Sequence, residues 1–450
     1  MRDLRFELPE INTWRLFNKG ISQQRIIAMV EAWESHGYRF GGVCIDDGWT
    51  RDGKLGDWEP DPVRFPDFAG LVAWIHDKGY AVRLWVAPAQ CHPGTRIHDR
   101  ALPDCLLKNT EGEPAFYAGL GTFRVDPRTD VGRSHIRDTL QRLVRDYQVD
   151  AFKVDFPPFY RPDDTFYQEQ HFSLPRQDAE TMVPDFYRLV RESIDAVNPA
   201  VRVECASDLP GCQPYVNDMI SGDLIGQERT WPGLVEIATR LRRYGQGTSI
   251  VPWLEMAWGE GGDAPSQKVE WHAGMLEWIA ASINLELKLE LSFQPFDYPN
   301  DAQIRCLTNL YGPRNRLYKV LCAGRKSIAV KDLILAGVEV NAATRFLVAP
   351  EQTTTVTLHT AELGTNALAW RARNVGTAAE VNLRARNEAW GRSAAWCQVS
   401  FEADGGQVYE LWHEGLPDPY FTKLFQHIHI QAPVAKIEHA PAPDHRSVTG

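Results

Sequence analysis

The sequence predicts an α/β fold, a (β/α)8 barrel of the TIM type followed by a small C-terminal β-sandwich, on three observations. Strand-like runs and helix-like segments alternate from about residue 12 to residue 312, the pattern that demands a parallel sheet with crossover helices. Eight strand-like runs can be counted, the number that closes such a barrel. Past Leu317 the pattern changes to short β-rich runs at 353–358, 367–371 and 408–412, separated by Gly, Asn and Asp. The expected boundaries are 1–315 for the barrel, 316–431 for the sandwich and 432–450 for a mobile, proline-rich tail.

In chain order, barrel strands are expected at 14–17, 42–46, 81–86, 151–155, 201–205, 219–222, 249–253 and 287–291. The helix after Ser22 places Ile26, Met29, Val30 and Trp33 on one face, and Gly37 supplies a stop. Further helices are expected at about 67–78, 132–146, 179–196, 232–244 and 268–281. The connection 206–218 is short and rich in Pro and Gly, which counts against the sixth run as a barrel strand. Two long connections, 50–66 and 87–130, fall on the carboxyl side of the sheet, where a barrel carries its active-site loops.

Composition narrows the function. Acidic residues number 59 against 48 basic, a net charge of −11, so the chain repels a phosphate backbone and a nucleic-acid partner is not expected. A neutral substrate fits better. Fifteen tryptophans offer flat apolar faces with an N–H donor, suited to sugar rings as well as to cores. The first ten residues carry charges throughout, and no stretch approaches about eighteen uninterrupted apolar residues, so neither signal-peptide secretion nor a membrane span is expected. Eight scattered cysteines, several inside apolar runs such as Val43-Cys44-Ile45, read as buried thiols of a cytoplasmic protein.

The chemistry gathers at strand ends. The second run closes on Cys44-Ile45-Asp46-Asp47-Gly48-Trp49, placing two adjacent carboxylates and an indole at the barrel mouth, where they could bond neighbouring hydroxyls of one sugar. A turn-capping Asp is the plain alternative. In the fourth run Lys153 and Asp155 lie two positions apart and share a face. Charges on an inward face are costly unless paired or used on a ligand, and a carboxylate kept ionised by an ammonium is what a glycosidase nucleophile requires. A bare salt bridge is the alternative. The sixth run closes on Ser221-Gly222-Asp223, but Asp218 lies five residues earlier, and spacing does not choose between the two as acid/base. Glu204 beside Cys205 reads as a hydrogen-bonding support.

At these residues the sequence resembles the glycoside hydrolases of clan D, which holds families 27, 31 and 36, and most of all family 36, the melibiases and raffinose synthases. The resemblance spans about residues 40–312: Asp46-Asp47-Gly48-Trp49, Gly56-Asp57-Trp58, Phe65-Pro66, Gly79, Leu84-Trp85 with Pro88, Val125-Asp126-Pro127 and Phe152-Lys153-Val154-Asp155, in order. It implies Asp155 as nucleophile and Asp223 as acid/base of a retaining α-glycosidase. It further implies Asp46, Asp47 and Lys153 on sugar hydroxyls, Trp49 and Trp85 as pocket walls, and Cys205 as a substrate contact. Asp208-Leu209-Pro210-Gly211-Cys212 departs from the glycine run the family carries next, where the sugar's 6-position is met. The chain also begins almost at the barrel, without the family's large N-terminal β-sandwich.

Cys91, His92, His98 and Cys105 crowd one loop, but their spacing matches no tight zinc pattern, and no metal or cofactor is implied. His427 and His429 lack a third ligand. Nucleotide-binding and serine-hydrolase motifs are absent in strand-to-helix context. The expected function is hydrolysis of an α-linked sugar, galactose or a close relative, from a small oligosaccharide or glycoside. Transglycosylation and non-catalytic carbohydrate binding are the alternatives, the second disfavoured because a binder has no need of both carboxylates. Nothing in the sequence speaks to oligomeric state.

Overall fold

The computed structural model describes residues 4–7, 9–35, 40–100, 105–109, 111–158, 176–205, 209–220, 251–256, 288–291, 344–348, 353–361, 369–390, 394–413 and 428–431. The helices expected at 232–244 and 268–281 lie outside these residues, as does Asp223.

The first barrel strand, β1, is Glu10–Asn12, and Trp14–Phe17 is a single helical turn, α1, which corrects the strand expected at 14–17. The reason is electrostatic. Glu10 is fully buried and bound to Arg83 from the next strand but one, so a core strand begins with a residue that reads as surface. Helix α2 (Gln23–Ser35) buries the predicted stripe Ile26, Met29, Val30 and Trp33, and leads into β2 (Gly42–Ile45). Asp67 caps α3 (Phe68–Asp77) by accepting from the Gly70 N–H at 2.8 Å, and β3 (Ala81–Val86) follows.

The long connection after β3 carries β4 (Gln90–Cys91), a short helix α4 (Arg96–Arg100), β5 (Phe116–Tyr117) and β6 (Thr122–Arg124), which form a small antiparallel sheet in the order β4-β6-β5. Thr129 then caps α5 (Asp130–Tyr147), accepting from Gly132 at 3.0 Å. The remaining barrel elements are β7 (Ala151–Val154), α6 (Arg176–Asp195), β8 (Arg202–Cys205), β9 (Asp218–Ile220), β10 (Val251–Met256) and β11 (Lys288–Leu291).

These strands form a closed barrel of eight, β1-β2-β3-β7-β8-β9-β10-β11, with β11 returning to β1 and every pair parallel. The doubt over the sixth strand is therefore overturned. β9 pairs parallel to β8 across a connection whose described part holds only a 3-10 turn, Gln213–Tyr215. Two ion pairs from Asp218, to Arg83 at 2.9 Å and to Arg202 at 2.7 Å, fasten that strand in place.

Alternation divides the barrel into two shells. Val43, Ile45, Val82, Leu84, Val86, Phe152, Val154 and Val203 are fully buried in the apolar core that includes the α2, α3, α5 and α6 faces. Each contributes about 1.5–3 kcal/mol. The intervening positions include the buried polar residues Glu10, Asn12, Arg83, Lys153, Glu204 and Asp218. Buried ions of this kind roughly break even against apolar packing, so the outer shell stabilises the barrel and the inner one specifies its interior. Phe6 plugs the amino-terminal end, with the Arg83 and Arg202 guanidinium groups 5.7 and 4.9 Å from its ring.

Beyond the barrel, the described residues form two antiparallel sheets. These strands are β12 (Thr344–Val348), β13 (Thr354–Ala361), β14 (Trp370–Asn374), β15 (Arg384–Trp390), β16 (Ala394–Ala403), β17 (Tyr409–His413) and β18 (Ile428–Gln431). One sheet has the order β12-β17-β14 and the other β15-β16-β13-β18.

Candidate active site

Two layers of charge are stacked inside the barrel. In the lower layer the Arg83 guanidinium meets Glu10 at 2.9 Å, Glu204 at 3.2 Å and Asp218 at 2.9 Å, all fully buried. Burial works against its charge, but the three carboxylates hold its pKa above the ordinary value. Asp218, which spacing left as a candidate acid/base, belongs to this layer, under the mouth, with both oxygens on arginines. Glu204, read from the sequence as a hydrogen-bonding support, sits in this layer as an ion-pair partner of Arg83.

The upper layer begins one alternation further along each strand. Asp46, just past β2, is saturated: Oδ2 accepts from Asn12 Nδ2 at 2.8 Å and Lys153 Nζ at 3.0 Å, and Oδ1 accepts from the Asp47 N–H at 2.8 Å. Lys153 thus bridges β7 to β2 across 107 residues of sequence, a partner the local spacing with Asp155 did not indicate. Asp47 differs from its neighbour. Its Oδ2 lies 3.6 Å from Lys19 Nζ, while Oδ1 is buried and accepts no hydrogen bond among the described residues. Burial, against Lys19 and with Asp46 beside it, pushes its pKa up to about 6. The turn that presents Asp47 requires glycine: Gly48 has φ +108°, and a Cβ there would stand 2.8 Å from the Lys19 Cα.

Asp155 stands at the carboxyl end of β7, partly exposed, with its backbone N–H on the Val86 carbonyl. Oδ2 accepts from Trp85 Nε1 at 3.0 Å and Oδ1 from the Phe156 N–H at 2.7 Å. Burial raises its pKa, opposed by Lys153, Trp85 and the Phe156 N–H, and reinforced by Asp46. The carboxylate is therefore fixed on two sides by N–H donors and is only partly neutralised.

Trp85 touches the candidate nucleophile directly. Trp49 does not: it is fully buried, donates from Nε1 to the Trp85 carbonyl at 2.9 Å and packs 6.1 Å from Trp58, which lies 6.0 Å from Trp85. Trp49 is thus a support behind Trp85. Cys205 follows Glu204 on β8, so alternation turns its thiol away from the Arg83 layer into the apolar shell. There it contacts Cys212, whose thiol the Cys205 contact and burial both push up.

Several matched motifs are braces. Asp57 binds Arg96, and Asp126 binds Arg128 at 2.7 Å. In the crowded loop, burial with Cys105 beside it pushes Cys91 up to about 12, and His92 spends Nδ1 on the Leu55 N–H and Nε2 on the Leu120 carbonyl. Among the described residues, no group of three His, Cys, Asp or Glu is arranged to hold a metal. Sequence reasoning missed Glu10, Asn12, Lys19 and Arg83. Arg83 carried the same signal as Lys153, a lone charge inside an apolar strand.

A closed parallel barrel with a carboxylate cluster at the carboxyl end of its strands is the architecture of a barrel glycosidase. Residues 11–223 match the model of the glycosyl hydrolases family 31 TIM-barrel domain. Alpha-galactosidase 2 of Pediococcus pentosaceus is 27% identical over 157 residues, 32% of this chain and 20% of that protein. Alpha-xylosidase XylQ of Lactiplantibacillus pentosus is 25% identical over 182 residues, 40% of this chain and 23% of that one. The chain thus matches less than a quarter of these relatives' length. Among solved structures, the GH36 alpha-galactosidase AgaA of Geobacillus stearothermophilus superposes with a TM-score of 0.52 at 13% identity, covering 88% of this chain and 55% of that one. The alpha-galactosidase of Lactobacillus brevis superposes at 0.52 and 14%, covering 88% and 55%. Over residues 11–223 the chain is thus similar to the family 31 TIM-barrel domain, and its fold is shared with the GH36 alpha-galactosidases.

Proposed function

We propose that this protein hydrolyses an α-linked terminal sugar, most readily an α-galactoside, with retention of configuration. The observation that carries the reading is the Asp155 carboxylate at the barrel mouth, held by Trp85 and Phe156, beside Lys153 and the Asp46-Asp47 pair. In the first step Asp155 attacks the anomeric carbon while the leaving oxygen takes a proton from Asp223. In the second, water attacks the glycosyl-enzyme and gives its proton to Asp223, freeing Asp155. The commitment of Asp218 to Arg83 and Arg202 supports Asp223 for this role, because a carboxylate with both oxygens on guanidinium groups is held beneath the mouth. Asp47, Lys153 and Trp85 line the sugar site, with Asp46 orienting Lys153.

The substrate class follows from relatives: an AgaA variant has been solved in complex with raffinose and another with stachyose. A small oligosaccharide or simple glycoside is the corresponding substrate here, without nucleic acid or membrane. The two antiparallel sheets beyond residue 344 support a C-terminal β-sandwich. No helix among the described residues is long and apolar enough to cross a membrane. Cys44, Cys91, Cys105, Cys205 and Cys212 are buried thiols, which supports a cytoplasmic location.

A panel of nitrophenyl α- and β-glycosides tests the reading. Turnover of the α-galactoside above the α-glucoside and α-xyloside is expected. The alpha-xylosidase match makes the α-xyloside the second reading, and its preference would reassign the sugar while keeping the mechanism. Activity on β-glycosides alone would overturn both.

A further inference from the structure

The backbone that follows the candidate nucleophile is held by buried side chains from the small β4-β6-β5 sheet. Gln90 Nε2 donates to the Phe156 carbonyl at 3.1 Å, and Arg124 Nη1 donates to the carbonyls of Pro157 and Pro158 at 3.2 and 2.7 Å. Three consecutive carbonyls are thus engaged. Thr122 Oγ1 donates to Gln90 Oε1 at 2.9 Å, which turns the amide NH2 toward Phe156. Gln90, Thr122 and Arg124 are fully buried, Thr122 and Arg124 share one face of β6, and Gln90 pairs with Arg124 in register.

An amide and a guanidinium are costly to bury unless donors are used, and here Gln90 Nε2 and Arg124 Nη1 are used on one short segment. That segment is strained. Phe156 has φ 42°, a left-handed conformation that a bulky residue keeps only when its surroundings over-determine it. The same conformation aims the Phe156 N–H at Asp155 Oδ1. Tyr117 adds packing, its ring 5.1 Å from the Arg124 guanidinium and 6.3 Å from the Phe156 ring.

We propose that Gln90 and Arg124 are positioning residues: by clamping the 156–158 backbone they hold Phe156 in its left-handed turn and so fix the rotamer of the Asp155 carboxylate for attack. This rests on Asp155 being the nucleophile. The carboxylate has donors from two directions, Trp85 on β3 and the Phe156 N–H, and only the second depends on the loop. Releasing the clamp loosens the Phe156 N–H bond to Asp155 and leaves the bond to Trp85 in place.

The test uses the full chain with Gln90→Met, Arg124→Met and Arg124→Lys, assayed on the nitrophenyl α-glycoside that the wild type turns over best. A misplacement of about 1 Å at a reacting centre costs on the order of 100-fold, so kcat should fall by about 10- to 100-fold with KM within about threefold. The acid limb of the kcat/KM profile should also move to higher pH, because the weakened Phe156 N–H bond no longer favours the ionised carboxylate. Lys153 and Asp46, the charged groups that face Asp155 from β7 and β2, are untouched in these variants. Arg124→Lys, which keeps the charge and can reach one carbonyl, should recover part of the loss. Folded variants with wild-type kcat and an unmoved acid limb would overturn the clamp. If Arg124→Met fails to fold, Gln90→Met, which buries no new charge, decides alone. A wild type inert toward every α-glycoside overturns the glycosidase reading and the clamp with it, whereas an active wild type with indifferent variants overturns only the clamp.

Discussion

The two charged layers inside the barrel are built from the same residue types and differ in how their charges are paired. Around Arg83, three carboxylates and the Arg202 guanidinium neutralise one another in a space closed from below by Phe6. At the mouth, Lys153 is bound to Asp46, Asp47 Oδ1 accepts no hydrogen bond among the described residues, and Asp155 accepts from the Trp85 and Phe156 N–H groups. Ion pairing on several sides makes a floor. At the mouth, burial raises the pKa values of Asp47 and Asp155, which is how a barrel prepares groups for a ligand.

The largest effect should come from the mouth. Asp155→Asn removes the nucleophile and should lower kcat by at least about 10,000-fold on every α-glycoside, measured with nitrophenyl substrates. Any glycosyl azide formed by that variant should be inverted. Asp223→Asn should lower turnover of alkyl glycosides by about 100- to 10,000-fold while sparing the first step for nitrophenolates, which leave without a proton. Azide should speed that variant and yield a product of retained configuration. If Asp218→Asn shows the azide rescue instead, the contrast between layers fails.

Replacing a floor cation should read out in stability. Arg83→Met strands Glu10 and Glu204 in the interior and should cost about 3–5 kcal/mol in denaturant unfolding, since breaking a buried pair leaves uncompensated charge. A loss below about 1 kcal/mol would show that the floor is not held by ion pairing.

A smaller effect separates the layers by pH. Folded Asp47 keeps its proton up to about pH 6, whereas the unfolded chain loses it near the ordinary 3.8. In that window the folded state binds more protons, so Asp47's contribution to stability falls as pH rises from about 4 to about 6. Sugar binding needs the ionised form, so kcat/KM should fall below about pH 6, and Asp47→Asn should remove that part of the limb. An unchanged limb would assign it to Asp155. The smallest effect is expected from dithiothreitol, which should leave activity unchanged because the described cysteines are buried thiols; a marked loss would place a disulfide elsewhere in the chain.

The sequence by itself determined the outer shell and the chemistry close along one strand. Period-3.6 stripes such as Ile26-Met29-Val30-Trp33 and apolar strands such as 81–86 are written locally, because a helix or strand must bury one face whatever it packs against. Lys153 and Asp155 were legible as a pair for the same reason. Only the tertiary structure decided what lies across the barrel. It showed that Glu10 opens a core strand, that Asp218 is held by Arg83 and Arg202, that Lys153 answers Asp46, and that Trp49 and Cys205 turn into packing. Those facts depend on contacts between strands far apart in sequence, and a charge that looks exposed in the chain is satisfied only once closure brings its partner within hydrogen-bonding distance.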